Sequence, residues 1–441
     1  MVLPESVRYC IRVLEAGGYT AYAVGGCVRD HCLGLVPQDF DLCTSARPED
    51  MERLFHGHSL VLAGKKHGTV GVIVDHQCVE ITTYRTEGAY SDNRHPDWVR
   101  FVDRIEEDLS RRDFTINAMA YAPGAGYADP FGGREDLKNR VLRAVGDPEA
   151  RFREDSLRIL RGVRFAVKYH LEVEKNTREA MISLAPLMDN LARERVFSEL
   201  CKLLPLVTAE DLGRFAPILC QVIPELAPTV GFDQHSPHHA YDVFTHTARV
   251  VGHVPGDLTL RWAALLHDIG KVPTFTRDAT GRGHFYGHAP RGAEMAEEAL
   301  RRLKAPRGLT EDVVTLIANH MTRTELTKKA VRRLLSRLGW ENTERLLTLQ
   351  RADMMSKGVE KEGNLQQFEV ISQLLEEIRQ EDACLTVRDL RINGHDLMTL
   401  GLRGPKIGKT LEALLNQVLD ETLENNHEAL MERAIQLTVD N

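Results

Sequence analysis

The spacing of hydrophobic residues divides the chain into a mixed N-terminal part and a helical remainder. Between residues 20 and 145, Gly, His and Pro separate short β-rich runs: AYAVGG, DFDLCT, GTVGVIVD, CVEITTYRT and VRFVD. From about residue 147 onward, apolar residues recur at helical spacing and convincing strands disappear. The pattern predicts an α+β protein, mostly α, in which a small α/β part precedes a long helical part.

Local signals place several boundaries in the helical part. Asp147-Pro148-Glu149 combines an N-cap residue, a proline suited to the first helical position and an early acid, so it predicts a helix start. Ala216–His239 is rich in Pro, Gly and His and reads as a junction, while residues 276–292 and the polar stretch 355–364 read as loops. The 441 residues exceed what one hydrophobic core supports, so two to four domains are expected.

Composition and charge limit which kinds of protein this chain can be. No apolar run approaches the roughly 18 residues of a membrane span, and the N-terminus reads as a short charged helix, not a signal peptide. The eight cysteines are scattered without a CxxC pair, which predicts reduced thiols and a cytoplasmic location. The net charge of −8 counts against a nucleic-acid partner unless one face is locally basic.

Two short motifs in the first 45 residues suggest metal-dependent phosphate chemistry. Gly25-Gly26 follows a strand pattern and precedes a helical one, where glycines let backbone N–H groups approach a phosphate. Asp39 and Asp41 flank Phe40, and on a strand both carboxylates would share one face while Phe40 turns to the core. Paired hard oxygen ligands suit Mg²⁺. Taken alone, a glycine turn and a solvated strand edge are the commoner interpretations.

Further along the same region, two segments add candidate site residues. Glu80 lies in an alternating strand pattern and could be a third carboxylate of the sheet, although alone it reads as a surface residue. Arg111 and Arg112 stand where a helical pattern begins, so they could bind a triphosphate. Asp113 and Asn117 are four apart and could face a ribose together. The alternative for this segment is a charged helix cap.

A second pair of residues could read a nucleobase. Asp155 and Arg158 are three apart in a predicted helix and would neighbour each other on one face. A carboxylate only accepts and a guanidinium only donates hydrogen bonds, so together they complement an exocyclic amine beside an acceptor ring nitrogen. Cytosine and adenine present that edge, whereas uracil and guanine do not. The alternative is an ordinary surface salt bridge.

The ordered set GGCVRD, DFD, VEITTYRTEGAYSDNRHPDWV, EEDLSRRDFTINAMAY, DPFGG, RFREDSLRILR and ERVFSEL resembles class II bacterial CCA-adding enzymes. These are tRNA nucleotidyltransferases of the polymerase-β-like superfamily, and the resemblance covers essentially the whole chain. It implies an elongated protein with a catalytic head, a helical neck for base recognition, a body and a tRNA-binding tail. The corresponding residues are 1–145, 146–205, 206–360 and 361–441.

The resemblance also implies roles for individual residues. Asp39 and Asp41 would bind Mg²⁺ and act in catalysis with Glu80, and CTP, ATP and tRNA would be the partners. Arg193-Glu194-Arg195 matches a neck motif that supports the nucleotide pocket. The implied nucleotide-binding residues are Gly26, Arg29, Arg111, Arg112, Asp113, Asn117, Asp155, Arg158, Arg161, Arg164, Arg193 and Arg195.

The sequence distinguishes this chain from two related kinds of enzyme. Bacterial poly(A) polymerases carry an extra basic signature that LVLAGKKHGTVGVIV does not resemble. Enzymes that add only CC have a shortened flexible loop before the RRD segment, whereas Tyr84–Val99 looks intact here. An enzyme that adds only the terminal A remains an alternative.

A second metal site is suggested in the helical part. His267-Asp268, together with His246 upstream and Asp353 downstream, resembles the HD phosphohydrolase superfamily. Mixed imidazole and carboxylate ligands suit Ni²⁺, Mn²⁺ or Co²⁺. His288 and His320 are interpreted as surface or capping histidines, with an accessory ligand role as the alternative. The resemblance implies a metal-dependent phosphatase or phosphodiesterase, although HD bodies are silent in some relatives.

Two rival functions remain open. One is an HD hydrolase whose head has become a nucleotide sensor, and the other is a non-catalytic tRNA-binding or chaperone protein. The segment Gly404–Thr410 imitates a phosphate-binding P-loop but has one residue too few between its glycines. It is interpreted as a helix start with basic residues in the tRNA-contacting tail.

Overall fold

A computed structural model describes residues 1–88, 98–236, 240–358, 365–381 and 383–439. The chain forms two compact units. Unit 1 comprises Met1–Val207 and Asp211–Ala227, and unit 2 comprises Thr208–Glu210 and Pro228–Asn441. Parts of the predicted loops Tyr84–Val99, 216–239 and 355–364 lie outside the described residues. Within the described ranges, no helix is both long and apolar enough to cross a bilayer.

Unit 1 holds most of the strands and many of the shorter helices among the described residues. Its strands are β1 (Ala21–Val24), β2 (Asp41–Thr44), β3 (Leu60–Val61), β4 (Thr69–Val74), β5 (Gln77–Thr83), β6 (Arg85–Glu87), β7 (Val99–Phe101), β8 (Ala120–Ala122), β9 (Gly126–Ala128), β10 (Val141–Leu142) and β11 (Glu172–Val173). Its helices are α1 (Glu5–Ala16), α2 (Gly26–Cys32), α3 (Pro48–Leu54), α4 (Ile105–Ser110), α5 (Gly133–Lys138), α6 (Pro148–Glu154), α7 (Leu157–Tyr169), α8 (Lys175–Ser183), α9 (Arg193–Leu203), α10 (Ala209–Arg214, which begins in unit 2) and α11 (Ala216–Val222). Short 3-10 helices lie at Lys65–His67, Thr115–Asn117, Ala185–Asn190 and Pro224–Thr229.

The main sheet brings the predicted carboxylates of the head together. Among the described residues it has seven strands in the order β3-β4-β5-β2-β1-β8-β9. Strands β2 and β5 are parallel, with Leu42 opposite Ile81. The residues one position earlier, Asp41 and Glu80, therefore stand side by side and share a face of the sheet. Glu80 also pairs with Gly71 across β4.

A cluster of aromatic rings joins the head to the first long helix. Phe114 is fully buried, and its ring centroid lies 6.3 Å from that of Phe152 and 6.0 Å from that of Phe165. Gly162 of α7 faces the same ring, so that a Cβ atom there would lie 2.8 Å from Phe114 Cζ. The cluster fixes α7 against the segment that follows α4.

Unit 2 is almost wholly helical. Its helices are α12 (Val243–His253), α13 (Leu258–Leu266), α14 (His288–Arg302), α15 (Arg307–Asn319), α16 (Lys328–Met355), α17 (Gln366–Gln380), α18 (Gly394–Thr399), α19 (Pro405–Leu419) and α20 (His427–Val439). A small hairpin pairs β12 (Thr276–Arg277) with β13 (Gly283–His284), and 3-10 turns lie at Val272–Thr274 and Val387–Asp389. Helix α16 kinks at Gly339, where φ is 74°. Leu397, Leu414 and Leu430 belong to the buried core shared by the C-terminal helices.

The predicted fold class, α+β and mostly α, is confirmed. The helix start at Asp147 is also confirmed, since its side chain accepts from the backbone N–H groups of Glu149 and Ala150. The loss of strands after residue 147 was only approximately right, because β11 and the β12–β13 hairpin form there. These pieces are two residues long, which is too short to produce a periodic signal. Gly404–Thr410 starts α19, as predicted.

Replacing Gly162 by valine should lower the free energy of unfolding of unit 1 by about 1–3 kcal/mol. The added side chain would collide with Phe114 and Met181, which already pack closely against Gly162. Urea denaturation measures the change. Gly57→Val is the control, since nothing lies within 4 Å of a Cβ atom at Gly57. Equal stability of the two variants would contradict the packing described here.

Candidate functional site

Three carboxylates meet in the head, where those of Asp39 and Glu80 act on that of Asp41. Burial raises the pKa of Asp41, the Glu80 and Asp39 carboxylates raise it further, and Arg112 lowers it. Asp39 itself is exposed and precedes β2, which begins at Asp41, so the prediction that both aspartates lie on a strand was wrong for Asp39. Phe40 is half-buried. The group concentrates negative charge at one end of the parallel strand pair.

A glycine turn lets an arginine approach this group. Gly25 caps α2 with φ 70°, in the left-handed region that glycine tolerates. A Cβ atom there would lie 2.8 Å from Arg112 Nη1. The sequence predicted this turn between β1 and α2. In the structure, the group that lies close to Gly25 is the guanidinium group of Arg112. Gly26 begins α2, and its Cβ position would be 3.6 Å from Arg29 Nη2.

Both arginines of the RRD segment are held by a buried acid. Arg111 Nη2 lies 2.9 Å from Asp108 Oδ1, and Arg112 Nη2 lies 3.3 Å from Asp108 Oδ2. Burial raises the pKa of Asp108, but the two guanidinium groups outweigh it, so the net shift is downward. The prediction that a helix begins at Arg111 was wrong, because Arg111 caps the C-terminus of α4. Sequence analysis missed Asp108, whose signal was an acid at a helical spacing of three and four from the arginines.

Asp113 is the centre of a buried hydrogen-bond network. It accepts from Arg161 Nε at 2.9 Å and from Asn117 Nδ2 at 3.0 Å. Asn117 Oδ1 in turn accepts from Arg29 Nη1 at 2.6 Å. The predicted proximity of Asp113 and Asn117 is therefore observed, although through a 3-10 turn and not an α-helix. The buried Arg29 also stacks over Tyr169, with Cζ 4.6 Å from the ring centroid.

The predicted helix containing Asp155 and Arg158 is broken. Helix α6 ends at Glu154, and Asp155 has an extended backbone before α7 begins. Asp155 Oδ2 accepts from Arg195 Nη2 at 2.8 Å, whereas Arg158 donates to Glu154 Oε2 at 2.7 Å. The prediction that the pair lies on one helix face was wrong, because an Asp beside Ser156 favours capping and turn conformations over helix interior.

A cavity lies next to Arg195, the residue that binds the Asp155 carboxylate. The volume of this cavity is about 510 Å³. Arg195, which holds Asp155, lines it together with Glu199, and Glu199 Oε2 accepts from Arg164 Nε at 2.7 Å. Arg193 donates to the backbone carbonyl of Asp189 at 3.0 Å. The other lining residues are Leu157, Ala192, Glu194 and Ser198.

In unit 2, the four predicted HD residues converge on one buried point. His246 Nε2 lies 2.9 Å from Asp353 Oδ1 and 3.5 Å from Asp268 Oδ2. His267 Nε2 lies 3.1 Å from Asp268 Oδ2 and has no hydrogen-bond partner among the described residues. Burial raises the pKa of Asp268, but His267 and then Lys271 outweigh it and lower the pKa well below its usual range. Lys271, which sequence analysis missed, contacts Asp268 Oδ2 at 2.7 Å.

The interpretation of His288 and His320 as surface residues was wrong, although His320 does cap the C-terminus of α15. Both are buried, at 8% and 4% exposure, and their Nε2 atoms lie 3.8 and 3.9 Å from Asp268 Oδ1. Burial lowers the pKa of His288, and burial together with His267 lowers the pKa of His320 to about 4. The sequence contained one sign of this burial, because His320 directly follows the largely apolar run VVTLIAN.

Backbone carbonyls fix the tautomer of the HD histidines. The Nδ1 atoms of His267, His288 and His320 lie 2.8, 2.7 and 2.7 Å from the carbonyl oxygens of Ala264, Phe285 and Ile317. A carbonyl can only accept, so each Nδ1 carries the proton and each neutral ring turns an Nε2 lone pair inward. This is the arrangement in which proteins present histidine to a metal. His246 Nδ1 lies 3.4 Å from the carbonyl of Ser356.

Comparison with known proteins settles the family. Residues 21–143 match the Poly A polymerase head domain, residues 170–210 the "Probable RNA and SrmB- binding site of polymerase A", and residues 238–357 the HD domain. The CCA-adding enzyme of Streptococcus thermophilus is 35% identical over 97% of this chain and 96% of its own length. The chain belongs to the CCA-adding enzymes.

Other CCA-adding enzymes agree with this assignment. That of Geobacillus kaustophilus is 42% identical over 51% of this chain and 53% of its own length. The crystal structure of the Bacillus stearothermophilus CCA-adding enzyme in complex with CTP has a TM-score of 0.70 and 27% identity, and the match covers 100% of this chain and 99% of that one.

Membership of the family fixes the reaction. The enzyme is a tRNA nucleotidyltransferase that adds CCA to tRNA without a nucleic-acid template. The terminal-A-only and nucleotide-sensor alternatives are not favoured. Its nucleotidyltransferase and HD domains imply dependence on divalent metal.

The Asp113 network should give the enzyme a specific acid sensitivity. Burial raises the pKa of Asp113, but Arg161 and Asn117 outweigh it and lower the pKa from 3.8 to about 2. A depressed folded pKa stabilises the protein above the unfolded pKa and loses that contribution as pH falls toward 2. The advantage of wild type over Asp113→Asn should therefore be about 2 kcal/mol near neutral pH and shrink below about pH 4.

Urea denaturation at a series of pH values measures this advantage. Asp75→Asn, in the exposed turn between β4 and β5, is the matched control and should show no such pH dependence. A difference between wild type and Asp113→Asn that stays constant with pH would contradict the ionised network.

Proposed function

We propose that CCA addition takes place at the carboxylate group of the head, where Asp39 and Asp41 hold Mg²⁺ and Glu80 is the third acid. The observation that carries this proposal is the parallel pairing of β2 with β5, which sets Asp41 beside Glu80, with Asp39 two residues before Asp41. Exposed carboxylate oxygens are the hard ligands that Mg²⁺ prefers. When bound, the metal supplies activation of the attacking hydroxyl and stabilisation of the departing pyrophosphate.

We propose that the neighbouring basic residues orient the nucleotide. Arg111 and Arg112 are fixed by Asp108, so little side-chain entropy is lost when they bind a triphosphate. Gly26 and Arg29 line the same turn, which supports a phosphate-binding role for this loop. The Asp113–Asn117 pair would address the ribose, and its bonds to Arg29 and Arg161 hold it in one orientation.

Base selection is proposed for Asp155 and Arg158. A carboxylate acceptor and a guanidinium donor complement the amine edge shared by cytosine and adenine. Arg195 holds the Asp155 carboxylate beside a cavity of about 510 Å³, which supports a nucleotide pocket at this point. Arg158 reaches the backbone carbonyl of Arg111 at 3.1 Å, so base and phosphate contacts would be coupled. Arg161, Arg164 and Arg193 would support this pocket through their bonds to Asp113, Glu199 and Asp189.

The domain assignment completes this proposal. Residues 1–145 would form the catalytic head, 146–205 the neck, 206–360 the body with the HD domain and 361–441 a tRNA-binding tail. The matched family regions, 21–143, 170–210 and 238–357, support these boundaries. CTP, ATP and tRNA are the proposed partners, consistent with the CTP-bound relative. The eight scattered cysteines, which include no CxxC pair, support a cytoplasmic location.

Asp41→Asn or Asp39→Asn should reduce incorporation of labelled CTP into tRNA at least about a thousandfold, because losing a metal ligand removes several kcal/mol of transition-state stabilisation. tRNA binding, measured by gel shift, should persist. Glu135→Gln, an exposed acid of α5 in the same unit, is the control and should retain wild-type activity. Near-normal incorporation by either aspartate variant at saturating Mg²⁺ would refute the assignment.

Asp155→Ala should weaken discrimination of CTP and ATP against UTP and GTP by about tenfold to a hundredfold, because the variant lacks the acceptor that pairs with the amine of cytosine and adenine and opposes the carbonyl of uracil and guanine. The ratios of kcat/KM for the four nucleotides measure this effect. Glu149→Ala, an exposed acid of α6, should leave the ratios unchanged. If kcat/KM falls by one common factor for all four nucleotides, the residue is structural.

We propose a second function for unit 2, a metal-dependent phosphatase or phosphodiesterase centred on His246, His267, Asp268 and Asp353. The observation that favours it is the inward-facing, partnerless Nε2 of buried His267 beside two carboxylates. This donor set fits a transition-metal ion such as Ni²⁺, Mn²⁺ or Co²⁺. When bound, such an ion would polarise a phosphoester and lower the pKa of water. Lys271 would contribute a positive charge beside it.

His267→Ala should abolish hydrolysis of small phosphoesters and 2′,3′-cyclic nucleotides, tested with each of these metals, while CCA addition continues at the wild-type rate. The HD residues lie in unit 2 and the head residues in unit 1. His284→Gln, a half-buried histidine outside the cluster, is the control. Thermal melting must accompany the assay, since loss of a buried ligand can unfold a domain. Absence of hydrolysis by wild type with every metal would refute this second function.

A further inference from the structure

Arg29, the buried arginine beside the Gly26 turn, is fixed by residues from several segments of unit 1. Its Nη1 atom donates to Asn117 Oδ1 at 2.6 Å, and its Nε atom donates to Asp30 Oδ1 at 2.9 Å. Its Nη2 atom lies 2.8 Å from the same Asp30 oxygen. A Cβ atom at Gly26 would lie 3.6 Å from Nη2, so the guanidinium group faces the turn. Because Nη1 and Nη2 each carry two N–H groups, each can donate to one further acceptor.

Tyr169, the last residue of α7, contacts this arginine in two ways. Its hydroxyl group donates to Asp30 Oδ1 at 3.1 Å, the oxygen to which Arg29 also donates. Its ring supports the guanidinium group, with Arg29 Cζ 4.6 Å from the ring centroid. Phe165, one helical turn earlier, stacks on Tyr169 with the ring centroids 6.2 Å apart. A guanidinium group over a buried aromatic face is electrostatically attracted to it.

The Tyr169 hydroxyl group is the donor in its contact with Asp30. An ionised carboxylate only accepts hydrogen bonds, so the proton lies on the tyrosine. Burial raises the pKa of Tyr169 to about 12, although Arg29 opposes this shift, so the phenol keeps its proton at neutral pH. The Asp30 carboxylate is therefore held by Tyr169 on one side and holds Arg29 on the other.

We propose that Tyr169 is a positioning residue for CCA addition, which holds the Arg29 guanidinium group in the orientation that binds the triphosphate of the incoming nucleotide. This inference rests on the phosphate-binding role proposed above for Gly26 and Arg29. The ring supports the guanidinium group directly, and the hydroxyl group holds the carboxylate to which that group donates. A cation that is already fixed loses little side-chain entropy when it binds a phosphate.

The effect of Tyr169 should fall on the triphosphate and not on the base. Tyr169 ends α7, whereas Arg158 lies in the first turn of this helix and Asp155 precedes it. The competing explanation is that Tyr169 only packs α7 against α2. Packing alone would change the free energy of unfolding and leave the KM for nucleotides unchanged, so the two explanations differ in their kinetics.

The experiment measures KM and kcat of the full-length enzyme, for CTP with tRNA that lacks CCA and for ATP with tRNA that ends in CC. Tyr169→Phe removes the hydroxyl group and should raise both KM values about threefold to tenfold, the value of one hydrogen bond. Tyr169→Leu also removes the ring and should raise them further. The kcat values should stay near those of wild type, because an interaction made equally in the substrate complex and the transition state affects KM alone.

Tyr9→Phe is the matched control, because it removes a hydroxyl group that lies 2.9 Å from His58 Nε2 elsewhere in unit 1. Its KM values should equal those of wild type. The ratio of kcat/KM for CTP to that for UTP should be unchanged in Tyr169→Phe, since Asp155 and Arg158 are intact.

A double-mutant cycle tests whether Tyr169 acts through Arg29. Arg29→Gln should raise both KM values at least as much as Tyr169→Phe does. Adding Tyr169→Phe to Arg29→Gln should raise them no further, because positioning has no effect once the positioned group is gone.

The outcomes separate this inference from the proposed role of Arg29. Wild-type KM values in both Tyr169 variants, with raised values in Arg29→Gln, would overturn the inference and leave the phosphate-binding role intact. Additive effects in the double variant would also overturn it, since Tyr169 would then act independently of Arg29. Wild-type KM values in Arg29→Gln would overturn both. Thermal melting shows whether Tyr169→Leu folds, and if it does not, Tyr169→Phe alone decides between these outcomes.

Discussion

The ion pair of the buried Asp113 carboxylate with Arg161 is the interaction on which the proposed nucleotide site depends. A buried charge is stable only when it is paired and hydrogen-bonded, and Asp113 meets that condition through Arg161 and Asn117. Because Arg161 belongs to α7 and Asn117 to the segment after α4, satisfying one charge fixes α7 against that segment. Removal of either partner would leave a desolvated carboxylate, which is why the contact specifies geometry as well as stability.

The same principle recurs around the proposed catalytic carboxylates. Buried Asp108 orients Arg111 and Arg112, and Arg112 reaches the Gly25 turn beside Asp41. The basic residues are therefore already ordered, so the proposed nucleotide binding would lose little binding energy in ordering them. In unit 2, backbone carbonyl groups fix the tautomer of three buried imidazoles. Both sites are organised by buried partners and not by the functional residues alone.

Sequence patterns predicted the structure best where the conformation of a segment depends on residues close to it in the chain. The Gly25 turn, the N-cap at Asp147 and the strand positions of Asp41 and Glu80 all follow from local rules. Errors arose where tertiary contacts overrode local propensity. The charged segment at Arg111 looked like a helix start, but Asp108 captures its arginines at the end of α4.

The sequence by itself determined the family, the mixed head with a helical remainder, and the residue types of both sites, because motif order and periodicity are local properties. Only the tertiary structure decided which atoms face each other. It placed Asp155 in the break between α6 and α7, so that Asp155 and Arg158 do not share a helix, and it buried His288 and His320 against Asp268. The physical reason is that burial and pairing between distant residues set the free-energy cost of removing each polar group from water. Neither burial nor pairing is contained in the spacing of residues along the chain.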